Sequence, residues 1–124
     1  MYALELDELA AEVRRSGARK VLIQMPFGLR RHAWAIAEAV EDVGALPVIH
    51  VDPCYGACDL AICAAEGLGA DMIAHYGHAR IPGIKGPSDL TIAFFEARMA
   101  LDVRKAVEKA LELLEAYGPI GMAT

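Results

Sequence analysis

Four short apolar runs decide how this chain can fold. They are Lys20–Gln24, Leu46–Val51, Asp71–His75 and Leu90–Phe95. Each is too short for a stable helix, and none alternates cleanly between apolar and polar residues. Runs of this kind read as strands buried on both faces, as in a parallel sheet covered by helices. The intervening segments carry the complementary pattern. Leu6, Leu9, Ala10 and Val13 recur at helical spacing, and Gly17 follows as a stop. Ala33, Ile36, Ala37 and Val40 repeat the spacing up to Gly44. Asp59 can cap a short helix with Leu60, Cys63 and Ala64 on one face, closed by Gly67 and Gly69. The stretch from Tyr76 to Pro87 is rich in Gly and Pro and reads as a loop. A long helix is expected over 97–116, with Val103, Val107, Ala110, Leu111 and Leu114 on its apolar face. Strand and helix in alternation predict the α/β class. The expected architecture is a single three-layer domain over 1–118, with a parallel sheet of about four strands and helices on both faces. Residues 119–124 read as the start of a following strand or domain, truncated, so the chain is expected to be a piece of something longer or a domain that completes its sheet elsewhere.

Composition narrows the classes of function. The chain has 124 residues, suited to one domain. It is 56% hydrophobic and 23% charged, which excludes a disordered segment. The net charge of −5 argues against a nucleic-acid backbone as the main partner. No apolar stretch approaches the roughly 20 residues of a membrane span. Met1–Glu5 carry no basic leader followed by an apolar run, so no secretory signal is expected. Cys54, Cys58 and Cys63 lie close together and are odd in number. The expected setting is therefore a reducing cytoplasm, with no disulfide framework.

Open α/β sheets bind ligands beyond the carboxyl ends of their strands. Four segments reach that edge: Gln24–Gly28, Asp52–Asp59, His75–His78 and Glu96. Cys58 sits in a Gly-Ala-Cys-Asp turn near a helix start, where backbone N–H groups favour a thiolate. The alternative is a small buried hydrophobe. Cys54 can face either way, and Cys63 shares the stripe of Leu60 and Ala64, which points to packing. The spacing C-x3-C-x4-C matches no closed zinc site. One thiol cannot hold a four-iron cluster alone. His75 and His78 can serve as acid/base or metal groups, or as a hydrogen-bonded pair that steadies the loop. His50 reads as a core or edge residue of its strand, and His32, beside Arg30 and Arg31, as part of a solvated helix face. On these residues alone, a non-catalytic α/β binding or oligomerisation module with buried cysteines is the alternative to an enzyme.

Four segments resemble one known family. They are Val-Leu-Ile-Gln-Met-Pro-Phe-Gly-Leu (21–29), Asp-Pro-Cys-Tyr-Gly-Ala-Cys-Asp (52–59), His-Tyr-Gly-His (75–78) and Ala-Phe-Phe-Glu-Ala-Arg (93–98). In this order they resemble the first domain of the archaeal diphthamide-synthesis enzymes, the 2-(3-amino-3-carboxypropyl)histidine synthases. These are unconventional radical S-adenosylmethionine enzymes. The resemblance implies a transferase that moves a 3-amino-3-carboxypropyl group from S-adenosylmethionine to a histidine of translation elongation factor 2. It implies a [4Fe-4S] cluster held by one cysteine from each of three similar domains, and a homodimer as the full enzyme. Cys58 is the implied cluster ligand, with Cys54 and Cys63 as bystanders. Gln24, Tyr55, Gly56, His75 and His78 are the implied cofactor-binding residues. One domain alone is then expected to be inactive. The family often has Pro-Glu-Gly where this chain has Pro26-Phe27-Gly28, a lost carboxylate expected to bear on dimer or cofactor contacts.

Overall fold

The computed structural model describes residues 2–115 and 117–121. Helix α1 (Leu6–Ser16) leads into β1 (Lys20–Gln24). A 3₁₀ turn (Phe27–His32) runs into α2 (Ala33–Glu41), followed by β2 (Leu46–Ile49) and α3 (Ile62–Leu68). Then come β3 (Met72–Tyr76), β4 (Thr91–Phe95) and α4 (Arg104–Leu114). The four strands form one sheet in the order β2-β1-β3-β4, and every pairing is parallel.

Period-two alternation sorts the strand residues between two layers. Val21 and Ile23 of β1, with Met72, Ala74 and Tyr76 of β3, face α1 and α2. There they pack on Leu9, Val13, Ile36 and Val40. Leu22 and Ile73 point the other way, onto Ala65 of α3 and Leu90. Gln24 and His75 fall on this second face by parity, and the register pairs them across β1 and β3. That second face is covered by one seven-residue helix and by the loop before β4. The loop passes so close to the sheet at Gly86 that a Cβ there would lie 2.4 Å from Ile92 Cδ1.

The order of connections creates the site. From β1 the chain moves outward to β2, then crosses back over β1 to β3. Adjacent crossovers therefore leave β1 and β3 in opposite directions, and a cleft opens at their carboxyl ends.

Two sequence expectations need correction. Burial on both faces holds for β1 and β3, but β2 and β4 are edge strands, β2 with Leu46 and Ile49 exposed and β4 mostly half-buried. The helix expected over 97–116 is α4 alone. Residues 97–103 are irregular, and Ala116 lies outside the described residues. None of the expected apolar stripe of α4 is buried. The reason is occupancy: α1 already packs against β3 and β4 and fills the place a carboxyl-terminal helix would take. Residues 119–121 show no strand, and 122–124 lie outside the described residues.

Candidate functional site

Gln24 is the keystone of the cleft. It ends β1, is 2% exposed, and bonds neighbours through both ends of its amide. Its Nε2 donates to the Asp59 carbonyl at 2.6 Å, and its Oε1 accepts from the Ala61 N–H at 3.2 Å. A carbonyl can only accept and an N–H can only donate, so the backbone fixes which way the amide points. The contact with Ala61 also satisfies an orphan donor at the start of α3. Asp59 was the expected cap. Instead its carboxylate accepts from the Tyr55 N–H at 3.1 Å and closes the loop.

The amide orientation propagates. His75 Nδ1 lies 3.0 Å from Gln24 Oε1, an acceptor, so Nδ1 carries the proton. His75 Nε2 is then a lone pair in the neutral ring. It lies 3.0 Å from His78 Nδ1, which must donate. Burial, reinforced by the adjacent His78 charge, pushes the His75 pKa down to about 4. The ring is neutral at physiological pH and rests against Phe94, with centroids 5.2 Å apart.

The turn that folds His78 back over His75 depends on Gly77. Its φ is +85°, and a Cβ there would lie 2.7 Å from the ring of Pro26. Its N–H donates to the Phe95 carbonyl at 2.7 Å. Tyr76, between the two histidines in sequence, faces the opposite layer. It donates its hydroxyl to the Leu4 carbonyl at 3.0 Å and stacks on Phe95.

The cysteines divide. Cys54 is buried, with its Sγ 3.9 Å from His75 Nε2, and burial raises its pKa. Cys58 is exposed in the loop that follows β2. Cys63 is exposed too, against the expectation of packing. Two residues from the buried Ala65, it falls about 200° around the helix, on its outer side. Of the three thiols only Cys54 is buried, so the reading of a module with buried cysteines holds for one of them.

The structure therefore joins Gln24, His75 and His78 and adds Cys54, which sequence reasoning set aside. Its signal was available: Cys54 follows an Asp-Pro turn at the same sheet edge. Tyr55 projects into solvent, 85% exposed, and Gly56 lies beside Cys58, where a Cβ would be 3.5 Å from its Sγ. His50 lies just past β2, with Nε2 3.6 Å from an Asp52 carboxylate oxygen. His32 packs edge-on against Tyr2, with centroids 5.8 Å apart. Arg30 is not simply solvated. It donates to the Val51 carbonyl and lies over the Phe27 ring, 4.5 Å from its centroid.

Known proteins share this fold. The chain is 31% identical to the 2-(3-amino-3-carboxypropyl)histidine synthase of Pyrococcus horikoshii, over 95% of this chain and 34% of that protein. It is 34% identical to subunit 1 of the corresponding synthase of Gallus gallus, over 82% of this chain and 25% of that one. The similarity thus extends beyond archaea. The crystal structure of Dph2 from Pyrococcus horikoshii with a 4Fe-4S cluster superposes with a TM-score of 0.83 at 32% identity, over 95% of this chain and 34% of that one. The chain spans about a third of the length of this archaeal synthase. The model of the diphthamide synthesis proteins matches residues 25–124, from just past β1 onward, and the chain belongs to that family.

Proposed function

We propose that this chain is the first, cluster-ligand domain of an enzyme of diphthamide synthesis. That enzyme transfers a 3-amino-3-carboxypropyl group from S-adenosylmethionine to a histidine of translation elongation factor 2, in the cytoplasm and as a homodimer. The observation that carries the reading is Cys58, an exposed thiol on the loop at the carboxyl edge of the sheet. A ligand shared with other domains must stand outside its own core, and Cys58 does.

The residues present fit part of a [4Fe-4S] site. Such clusters are held by thiolates, normally three or four. This chain offers Cys58 at the sheet edge, while Cys63 stands on the far side of α3 and Cys54 is turned inward. The remaining ligands are then supplied by other domains, and the isolated chain has no transferase activity. When bound and reduced, the cluster supplies one electron for breaking a carbon–sulfur bond of the sulfonium cofactor.

The chain's own residues act by positioning. Gln24 and His75 are buried, and their part in the site is to hold the loop and the turn. Gln24 binds the Asp59 carbonyl, one residue beyond Cys58, and so fixes where the thiol stands. His78 is half-buried at the rim, with Nδ1 committed to His75, and offers Nε2 to polar groups of the cofactor. Tyr55 and Gly56 flank the thiol on the open side.

Iron and acid-labile sulfide per chain, measured after anaerobic reconstitution, test the assignment. The expected result is cluster incorporation, by pooling of thiols between chains, that falls at least several-fold in Cys58→Ser. Equal incorporation in both would overturn Cys58 as the ligand.

A further inference from the structure

Behind Cys58, the inward side of the same loop holds a second group of donors. Cys54, His75 and His78 each present one ligand atom, and the three atoms lie within 4.8 Å of one another. Cys54 and His75 are buried and His78 is half-buried. We propose that these three side chains form a separate site for a borderline-soft divalent ion of the zinc class, with a fourth position left open at the rim.

The geometry is close to what such an ion requires. Tetrahedral zinc with bonds of about 2.0–2.3 Å places two nitrogen ligands roughly 3.3 Å apart, and nitrogen and sulfur roughly 3.6 Å apart. Here His75 Nε2 and His78 Nδ1 are 3.0 Å apart, and His75 Nε2 and Cys54 Sγ are 3.9 Å apart. Binding asks only for small adjustments on two loops. One thiolate with two imidazoles suits zinc, and carboxylates, which would suit magnesium or calcium, are absent from the group.

The support around the ligands matches as well. A metal-bound histidine commonly donates its other ring N–H to a carbonyl, which fixes its tautomer. His75 does this already: Nδ1–H is held by Gln24 Oε1, itself locked by two backbone groups, and Nε2 is left as a lone pair. In the metal-free chain that lone pair takes the Nδ1 proton of His78. Metal binding replaces this proton. It moves to Nε2 of His78, so the ring turns from an acceptor at the rim into a donor. Cys54 gives its thiol proton to solvent, and no oxidation or reduction is involved.

The site is distinct from the cluster reading and can fail without it. The test is a titration of the metal-free chain carrying Cys58→Ser and Cys63→Ser with Co²⁺. The expected result is about one ion per chain, a near-ultraviolet thiolate-to-cobalt charge-transfer band, and the intense visible bands of four-coordinate cobalt. Cys54→Ala in this background removes the charge-transfer band. His78→Ala, at a half-buried position that leaves the core intact, weakens binding at least as much as loss of a supporting partner, roughly 10–100-fold. Circular dichroism checks the fold of each variant. No charge-transfer band before these changes, a band that survives Cys54→Ala, or an affinity unmoved by His78→Ala would each overturn the site. Loss of iron and sulfide in Cys58→Ser with cobalt binding intact separates it from the cluster ligand.

Discussion

His75 makes stability depend on pH. Its pKa is pushed from 6.5 in the open chain to about 4 in the fold, chiefly by burial. Between these values the unfolded chain binds a proton that the native chain refuses. The stabilising contribution is therefore complete above about pH 6.5 and is lost as pH falls to about 4. Denaturant midpoints from pH 4 to 7 should show a slope that flattens in His75→Asn, with a difference of about 2–3 kcal/mol across the window. Cys54 supplies a second prediction at this scale. Burial keeps it a thiol, and the thiolate is the nucleophile. Iodoacetamide at neutral pH should modify Cys58 and Cys63 readily, and Cys54 only after denaturation, as peptide mass mapping would show. The sequence made the sheet-edge cysteines and histidines legible as a group. It could not assign them inward or outward, because an irregular loop has no periodicity to sort its faces.

Single hydrogen bonds join the elements that build the site. Gln24 ties the end of β1 to the start of α3, to the loop of Cys58 and to the β3 histidine. Gln24→Ala should strand a carbonyl, an amide N–H and a ring N–H together. The expected loss is about 2–4 kcal/mol in chemical denaturation, well above that of a surface change. Strand positions were legible from the sequence nearly residue by residue, since Val21–Ile23 and Met72–Ala74 are continuous apolar runs. The helix α3 was only half legible. Asp59 looked like its cap, but a side chain from a strand 37 residues away caps Ala61. Long-range pairing of this kind leaves no local signature. Asp71 shows the same principle. It accepts from the Arg19 and Lys20 N–H groups at 2.8 and 2.9 Å, which holds its carboxyl below the usual range.

The described residues form a sheet with three docked helices and a fourth, α4, that buries none of its side chains. The periodicity of α4 is real, but among the described residues none of its apolar face is buried, and α1 already covers β3 and β4. Periodicity reports that a helix has an apolar face and is silent on which surface covers it. Ending the chain after Val103 should therefore change the unfolding free energy by less than about 1 kcal/mol, as read by thermal or urea melts of both forms.

The first described residues also return to the stretch that follows β4. Tyr2 bridges Met99, and Ala3 donates to the Arg98 carbonyl at 2.8 Å. Entry and exit thus share one point on the surface. A unit tied off in this way can be spliced into a longer polypeptide as a plug without forcing its neighbours apart. Its chain order is equally negotiable. A circular permutant that joins residue 103 to residue 2 through a short flexible linker, and opens in the exposed stretch 79–83, should fold to the same sheet with the same cooperative melt.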